Sequence, residues 1–133
     1  MDKNVAIIGA SGAIGNAFVE HYSKDQSVKN VYAFSRKHKS YKDKKVHSFE
    51  LDIENQESIQ DAAEEVKDNR LNHIIIATGI LHSESFGPEK SIKDINHDSM
   101  IKVMSVNAIG PSLVGRYFIP LLTKDTKSVL AFL

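Results

Sequence analysis

The segment Asn4-Val-Ala-Ile-Ile-Gly-Ala-Ser-Gly-Ala-Ile-Gly15 constrains the fold more than any other part of the chain. A short apolar run leads into three glycines spaced three apart, and a helical pattern follows at once. Each glycine answers a separate steric demand of a strand that delivers the chain to a dinucleotide. Gly9 makes the tight turn, Gly12 lets the backbone approach a pyrophosphate that any Cβ would obstruct, and Gly15 allows the helix to pack close against its strand. Unpaired N–H groups at the helix start, over the stretch Gly9, Ala10, Ser11, Gly12, Ala13, Ile14 and Gly15, then face the anion. An ordinary strand-to-helix turn can carry the same glycines, so the rest of the chain has to decide.

Strand and helix signals alternate along the chain, the pattern of a parallel sheet covered by helices. Strands are expected at 4–8, 30–35, 46–50, 73–77 and 128–133. The run His73-Ile-Ile-Ile-Ala-Thr78 is apolar without alternation, as a central strand buried on both faces requires. Ile14, Ala17, Phe18 and His21 share one helical face, and Ile59, Ala62, Ala63 and Val66 share another in a helix opened by Asn55. The connection from Ser35 to Val46 has no apolar helical face, so the second crossover is expected to be a loop or a single turn.

A last helix is expected from about His97 to Leu122, capped by Asn96 and bent by Pro111 within it. Alternating steps of four and three put Met100, Met104, Asn107, Pro111, Val114 and Phe118 on one face. Asn107 is then an amide on an apolar stripe, which must find partners or cost roughly 1 to 3 kcal/mol. It is either a structural tie between elements or part of a site.

Composition narrows the partners. With 17 basic and 17 acidic side chains the chain has no net pull on nucleic acid. The one skewed stretch, Arg36-Lys-His-Lys-Ser-Tyr-Lys-Asp-Lys-Lys45, reads as a solvated loop, with Arg36 alone kept for function. There is no cysteine, and the six histidines are scattered without metal-ligand spacing. No apolar run approaches membrane-spanning length and no charged-then-apolar leader precedes the first strand, so no membrane partner and a cytoplasmic location are expected.

These residues resemble the short-chain dehydrogenase/reductase family over essentially the whole chain. Gly9-Ala-Ser-Gly-Ala-Ile-Gly15 is similar to the family's nucleotide loop, with the middle glycine one position earlier than in its commonest version. Leu51-Asp52-Ile53 resembles the adenine-contacting aspartate step. Ala77-Thr78-Gly79 corresponds to the Asn-Asn-Ala-Gly segment without its asparagines. Asn107-Ala-Ile-Gly-Pro111, followed by Pro120, resembles the helix that carries the catalytic asparagine. The glycine spacing and the short second crossover together are similar to the C-factor-like branch. The resemblance implies an α/β Rossmann-type parallel sheet of order 3-2-1-4-5 with helices on both faces, a single dinucleotide-binding domain over 1–133.

The second strand ends Phe34-Ser35-Arg36, where an NAD-preferring site would place an acid for two ribose hydroxyls. Arg36 suits a 2′-phosphate, gripping it with paired charge-assisted bonds, and Ser35 can add a hydroxyl. NADP (NADPH) is therefore the expected cofactor. Asp52 and Ile53 would contact adenine, and Ala77, Thr78 and Gly79 would pack on the nicotinamide ribose. Asn107 would be the catalytic residue present, holding a water of the proton relay.

The family's chemistry also needs a serine and a Tyr-x-x-x-Lys pair beyond the fifth strand. The one such spacing here, Tyr41 to Lys45, falls in the basic loop and reads as chance. The chain is thus expected to be an N-terminal portion cut within or just after the fifth strand, inactive alone. Its parent would be an NADP-dependent oxidoreductase acting on a small carbonyl or alcohol substrate, and a homo-oligomer. A non-catalytic NADP-binding regulator and a nucleotide-sugar epimerase of the extended branch are the rivals, with a methyltransferase disfavoured because serine and arginine stand where an acid is usual.

Overall fold

The apolar run at the start of the chain forms the middle of the sheet, and the other strands assemble to either side of it. In the computed structural model, which describes residues 2–133, β1 spans Lys3–Ile8, β2 Val28–Ser35, β3 Val46–Glu50, β4 His73–Ile76 and β5 Val129–Phe132. All pairings are parallel and the order is β3-β2-β1-β4-β5, as the resemblance implied. The register pairs Ile8 with both Phe34 and Ile76, so the strands end together along one edge. Chain order reverses between β1 and β4, and a crevice opens at their carboxyl ends, where ligands of open α/β sheets bind.

Alternate residues of the strands feed two separate cores. Ala6, Ile8, Phe34, Ile74 and Ile76 face α2 (Gln56–Glu65) and the last helical segment, meeting Ile59, Val66, Val114 and Phe118. Val5, Ile7, Val31, Ala33 and Ile75 face α1 (Ala13–Lys24), meeting Val19 with Phe18 and Tyr22 packed at its side. Ile7, Ile8, Ile74 and Ile76 are all essentially inaccessible, which explains why the strand sequences show no polar alternation.

α2 presents the expected face, with Ile59, Ala62, Ala63 and Val66 buried, and Asn55 caps it by accepting from the Ser58 N–H at 3.1 Å. α1 does not. Ile14 is 60% exposed, and Ala17 and His21 also face solvent, while Gly15 and Val19 are buried and Tyr22 half-buried. The rotation is set by Gly15: a Cβ there would lie 2.0 Å from the Gly9 carbonyl oxygen, so the helix presses its Gly15 edge onto the turn. The close contact is therefore with the turn at Gly9 rather than with the strand itself.

The segment expected as one helix is divided. α3 covers His97–Met104, a π-helical turn covers Ser105–Ile109, and α4 covers Gly110–Phe118, with a 3-10 turn at Ile119–Leu121. One residue turns an α-helix by about 100°, so the wider turn puts the two halves out of phase. Pro111, Val114 and Phe118 are buried as the stripe required, but Met100 and Met104 are 48% and 52% exposed and Val106, not Asn107, is buried. The second crossover, 36–45, has no helix; Tyr41 packs beside the α1 core and Lys45 Nζ donates to the Asp25 carbonyl at 2.8 Å.

Candidate functional site

The turn after β1 holds its shape through backbone bonds. Gly9, at φ +85°, is the only described residue with positive φ, and a Cβ there would come within 2.8 Å of the Ala77 carbonyl oxygen. The N–H groups of Gly9 and Ala10 both donate to the Phe34 carbonyl, at 3.0 and 2.9 Å, so the turn is pinned to the end of β2. Gly12 is the N-cap of α1 and no side chain caps the helix. The first intrahelical bond is from Asn16 N–H to the Gly12 carbonyl at 2.8 Å, which leaves the N–H groups of Ala13, Ile14 and Gly15 without helical acceptors. A Cβ on Gly12 would touch only the Gly9 carbonyl oxygen, at 3.5 Å. The space in front of this helix start is therefore open, and its dipole and free donors suit an anion.

That opening belongs to a cleft of about 660 Å³ along the carboxyl edge of the sheet. Of the residues expected from sequence, Gly9, Ser11, Gly12, Ser35, Arg36, Ile53, Ala77, Thr78 and Gly79 line it. Ala10 is fully buried beneath it, and Ala13, Ile14 and Gly15 form the first turn of α1 without lining it. Asp52 is also outside the lining: its carboxylate accepts from the Glu54 N–H at 3.0 Å and closes a local turn. Ser35 is buried and its hydroxyl donates to the Lys37 carbonyl at 2.7 Å, so it holds the turn that carries Arg36. Thr78 Oγ1 is buried without a hydrogen-bond partner.

Asn107 sits outside the lining but is joined to it. Its Oδ1 accepts from the Ile80 N–H and its Nδ2 donates to the Ile80 carbonyl, both at 2.7 Å. The amide thus acts as a tie between the π turn and the segment after β4.

Several lining residues were not anticipated. Glu54, Lys102 and Val106 line the cleft, as do His82, Ser83, Glu84 and Ser85 from the segment after β4. The rule that ligands lie beyond the carboxyl ends of strands could have flagged the segment following β4; nothing in the local sequence points to Lys102. Two groups whose titration folding shifts lie elsewhere. At the amino edge of the sheet Tyr22 Oη and His73 Nδ1 are 3.0 Å apart. Burial, with Lys3 adding and Asp25 opposing, lowers the His73 pKa, and burial followed by Asp25 raises that of Tyr22.

An open helix start, a glycine where a Cβ would intrude and an arginine at the end of β2 fit a phosphorylated dinucleotide. The comparisons with known proteins agree in kind. A family model described as short chain dehydrogenase matches residues 3–132. No curated protein sequence matches significantly. Among solved structures, a short chain dehydrogenase family protein from Francisella tularensis superposes with TM-score 0.80 at 22% identity, over 98% of this chain and 50% of its own. An NADPH-bound carbonyl reductase from chicken fatty liver gives 0.75 at 24%, over 90% and 48%. A protein of Burkholderia multivorans described as a short-chain dehydrogenase/reductase with bound NADP gives 0.80 at 18%, over 98% and 57%. At such identities the likeness is one of fold, and this chain spans about half the length of those proteins.

Proposed function

The chain belongs to the short-chain dehydrogenase family, and from that premise we propose that it is the cofactor-binding part of an NADP-dependent oxidoreductase. The reaction would move a hydride between nicotinamide and the carbonyl or alcohol carbon of a small molecule. The observation that carries this reading is the uncapped start of α1 at Gly12, open onto a cleft that Arg36 also lines. The bound nicotinamide supplies the hydride chemistry; the protein's share is to hold, orient and protonate.

In this reading the N–H groups at the start of α1 take the pyrophosphate, and Arg36 takes the 2′-phosphate with its planar fork. Ser35 acts by position, since its hydrogen is already given to Lys37. Ile53 packs on the adenine side, and Ala77, Thr78 and Gly79 on the nicotinamide ribose. The Asn107 amide is engaged by Ile80 through both its oxygen and its nitrogen, so in this reading the residue holds a relay water through the positions those two bonds leave over. Two structures of similar fold hold NADPH or NADP, which supports this cofactor. Exposed Met100, Ile101 and Met104 on α3 support association of copies, and residues 1–133 would form one dinucleotide-binding unit.

Calorimetric titration with NADPH and NADH tests the assignment. NADPH is expected to bind more tightly by about tenfold to a hundredfold, the worth of a charge-assisted hydrogen bond. Arg36→Asp is expected to invert the order. Equal affinity of the unmutated chain for both would remove Arg36 from the site.

A further inference from the structure

The stretches on either side of β3 in the sequence carry opposite charge. Residues 36–45 hold six basic side chains against one acid, and residues 50–65 hold seven acids and no base. The fold sets the two on opposite faces of the sheet. Tyr41 anchors the basic stretch beside the α1 core and Lys39 Nζ donates to Asn16 of α1 at 2.9 Å, whereas α2 packs on the other core through Ile59, Ala62 and Val66. Between them β3 is the outermost strand, with β2 as its one neighbour. A groove of about 500 Å³ runs beside it, and the exposed carboxylates of Glu50, Glu57, Asp61 and Glu65 line this groove together with Phe49 and His38. His38 belongs to the basic stretch, so the two patches form one continuous surface around the edge strand.

Neither patch is neutralised from within the chain. Among the described residues, no ion pair involves the exposed Lys37, Lys42 or Lys44, or any of the four carboxylates of the groove. Like charges crowded on one face repel one another, and an opposite charge from outside relieves the strain. The chain as a whole has no net charge, so a second copy brings that opposite charge in matching amount. Symmetry decides how it can be applied. A two-fold axis normal to the sheet would set loop against loop and helix against helix, like charge facing like. An axis lying in the sheet along β3 exchanges the two faces, so the loop of each copy meets α2 of the other and every contact is made twice. We propose that this edge is a self-complementary dimer interface, in which the basic stretch 37–45 of one copy docks on the acidic groove of a second copy, and reciprocally. The interface is separate from the cofactor cleft and does not rest on the dinucleotide reading.

Sedimentation velocity of the chain and of two charge-reversed variants tests this. One variant carries Lys42→Glu with Lys44→Glu, the other Asp61→Lys with Glu65→Lys; all four positions are exposed. The unmutated chain is expected to dimerise at low ionic strength and to dissociate about tenfold more readily in 0.5 M salt, where charges more than about 4 Å apart are screened. Each variant alone is expected to dimerise at least about tenfold more weakly, since reversal places like charges in both copies of the contact. An equimolar mixture of the two is expected to form a heterodimer within about threefold of the unmutated affinity, because both of its contacts then join opposite charges. Should either double variant melt before the measurement, the single changes Lys42→Glu and Asp61→Lys take its place. A monomeric unmutated chain overturns the inference, as does a mixture that fails to pair. Association through the apolar side chains of α3 would persist in both variants and in high salt, and that outcome also overturns it.

Discussion

Replacing Gly12 by aspartate is expected to stabilise the fold and destroy dinucleotide binding in one step. Gly12 caps α1 with φ −73° and ψ 166°, an extended geometry open to any residue, and no side chain yet accepts from the helix. The new Cβ meets only the Gly9 carbonyl oxygen at an ordinary 3.5 Å. An aspartate there can accept from a first-turn N–H, as Asn55 does from Ser58 at α2. Aspartate exceeds glycine as a cap by a few tenths of a kcal/mol, its charge adds about 0.3 to 1 kcal/mol at the dipole, and losing the freedom of glycine in the unfolded chain adds about 0.4 to 1 kcal/mol. Partial overlap of these effects leaves roughly 1 kcal/mol, or a rise in Tm of about 3 to 5 °C for a domain of this size. The same carboxylate stands where a pyrophosphate would approach. Two unit charges 4 Å apart repel by about 1 kcal/mol in water and about 4 kcal/mol at an effective dielectric constant of 20. In an open cleft a value near 2 kcal/mol applies, which weakens binding about thirtyfold before the lost N–H donors are counted. Thermal melts and calorimetric titration with NADPH measure both halves. A variant that melts lower than the parent refutes the capping geometry, and one that binds NADPH as tightly as the parent refutes the anion site.

Asn107→Ala removes both bonds to Ile80 and is expected to cost about 1 to 2 kcal/mol. Amide exchange at Ile80 should then accelerate while the folded fraction keeps its NADPH affinity, and unchanged exchange would show that the tie is idle. Gly110→Ala drives a Cβ into the Ile53 carbonyl and is expected to destabilise by about 1 to 3 kcal/mol, read as a lower Tm; an unaltered Tm would mean that the helix can slide. Folding lowers the His73 pKa, so the unfolded chain takes up the proton first as pH falls, and stability present above about pH 6.5 is lost below it. His73→Gln should therefore lose less Tm than the parent between about pH 7.5 and 5.5, and equal losses would refute the assignment.

The sheet was legible because its signals are local. Three isoleucines in a row in β4 and the run before Gly9 can be satisfied only by burial on both sides, and the glycines fix the turn and helix start after β1. α2 was legible for the same reason, since Ile59, Ala62, Ala63 and Val66 have one apolar face and a cap before it. α1 was misread because a contact, not a pattern, sets its rotation. Ile14 and Phe18 suggested a face, but the press of Gly15 on Gly9 turned Ile14 out to solvent. The helix after Asn96 was misread because counting assumes an unbroken period. Pro111 announced a bend, yet only the folded chain reveals the π turn that carries Val106 inward and Met104 outward. At the site, the glycine turn and Arg36 are set by neighbours in sequence. Glu54 and Lys102 meet across 48 residues, a distance that no spacing rule spans.

The wide turn at Ser105–Ile109 also divides the labour of mutation along one rod. α3 contains no buried residue, whereas α4 buries Gly110, Pro111, Val114, Gly115 and Phe118. Because the turn already absorbs a change of phase, substitutions in α3 need not propagate into the packing of α4 against the sheet. Residues 97–104 can thus diversify, altering the wall that Lys102 gives the cleft or the surface of Met100 and Met104, while the anchored half keeps its seat. Lineages descended from such a chain would be expected to explore new specificities first in α3, and a library randomised there should yield far more folded members than one randomised in α4.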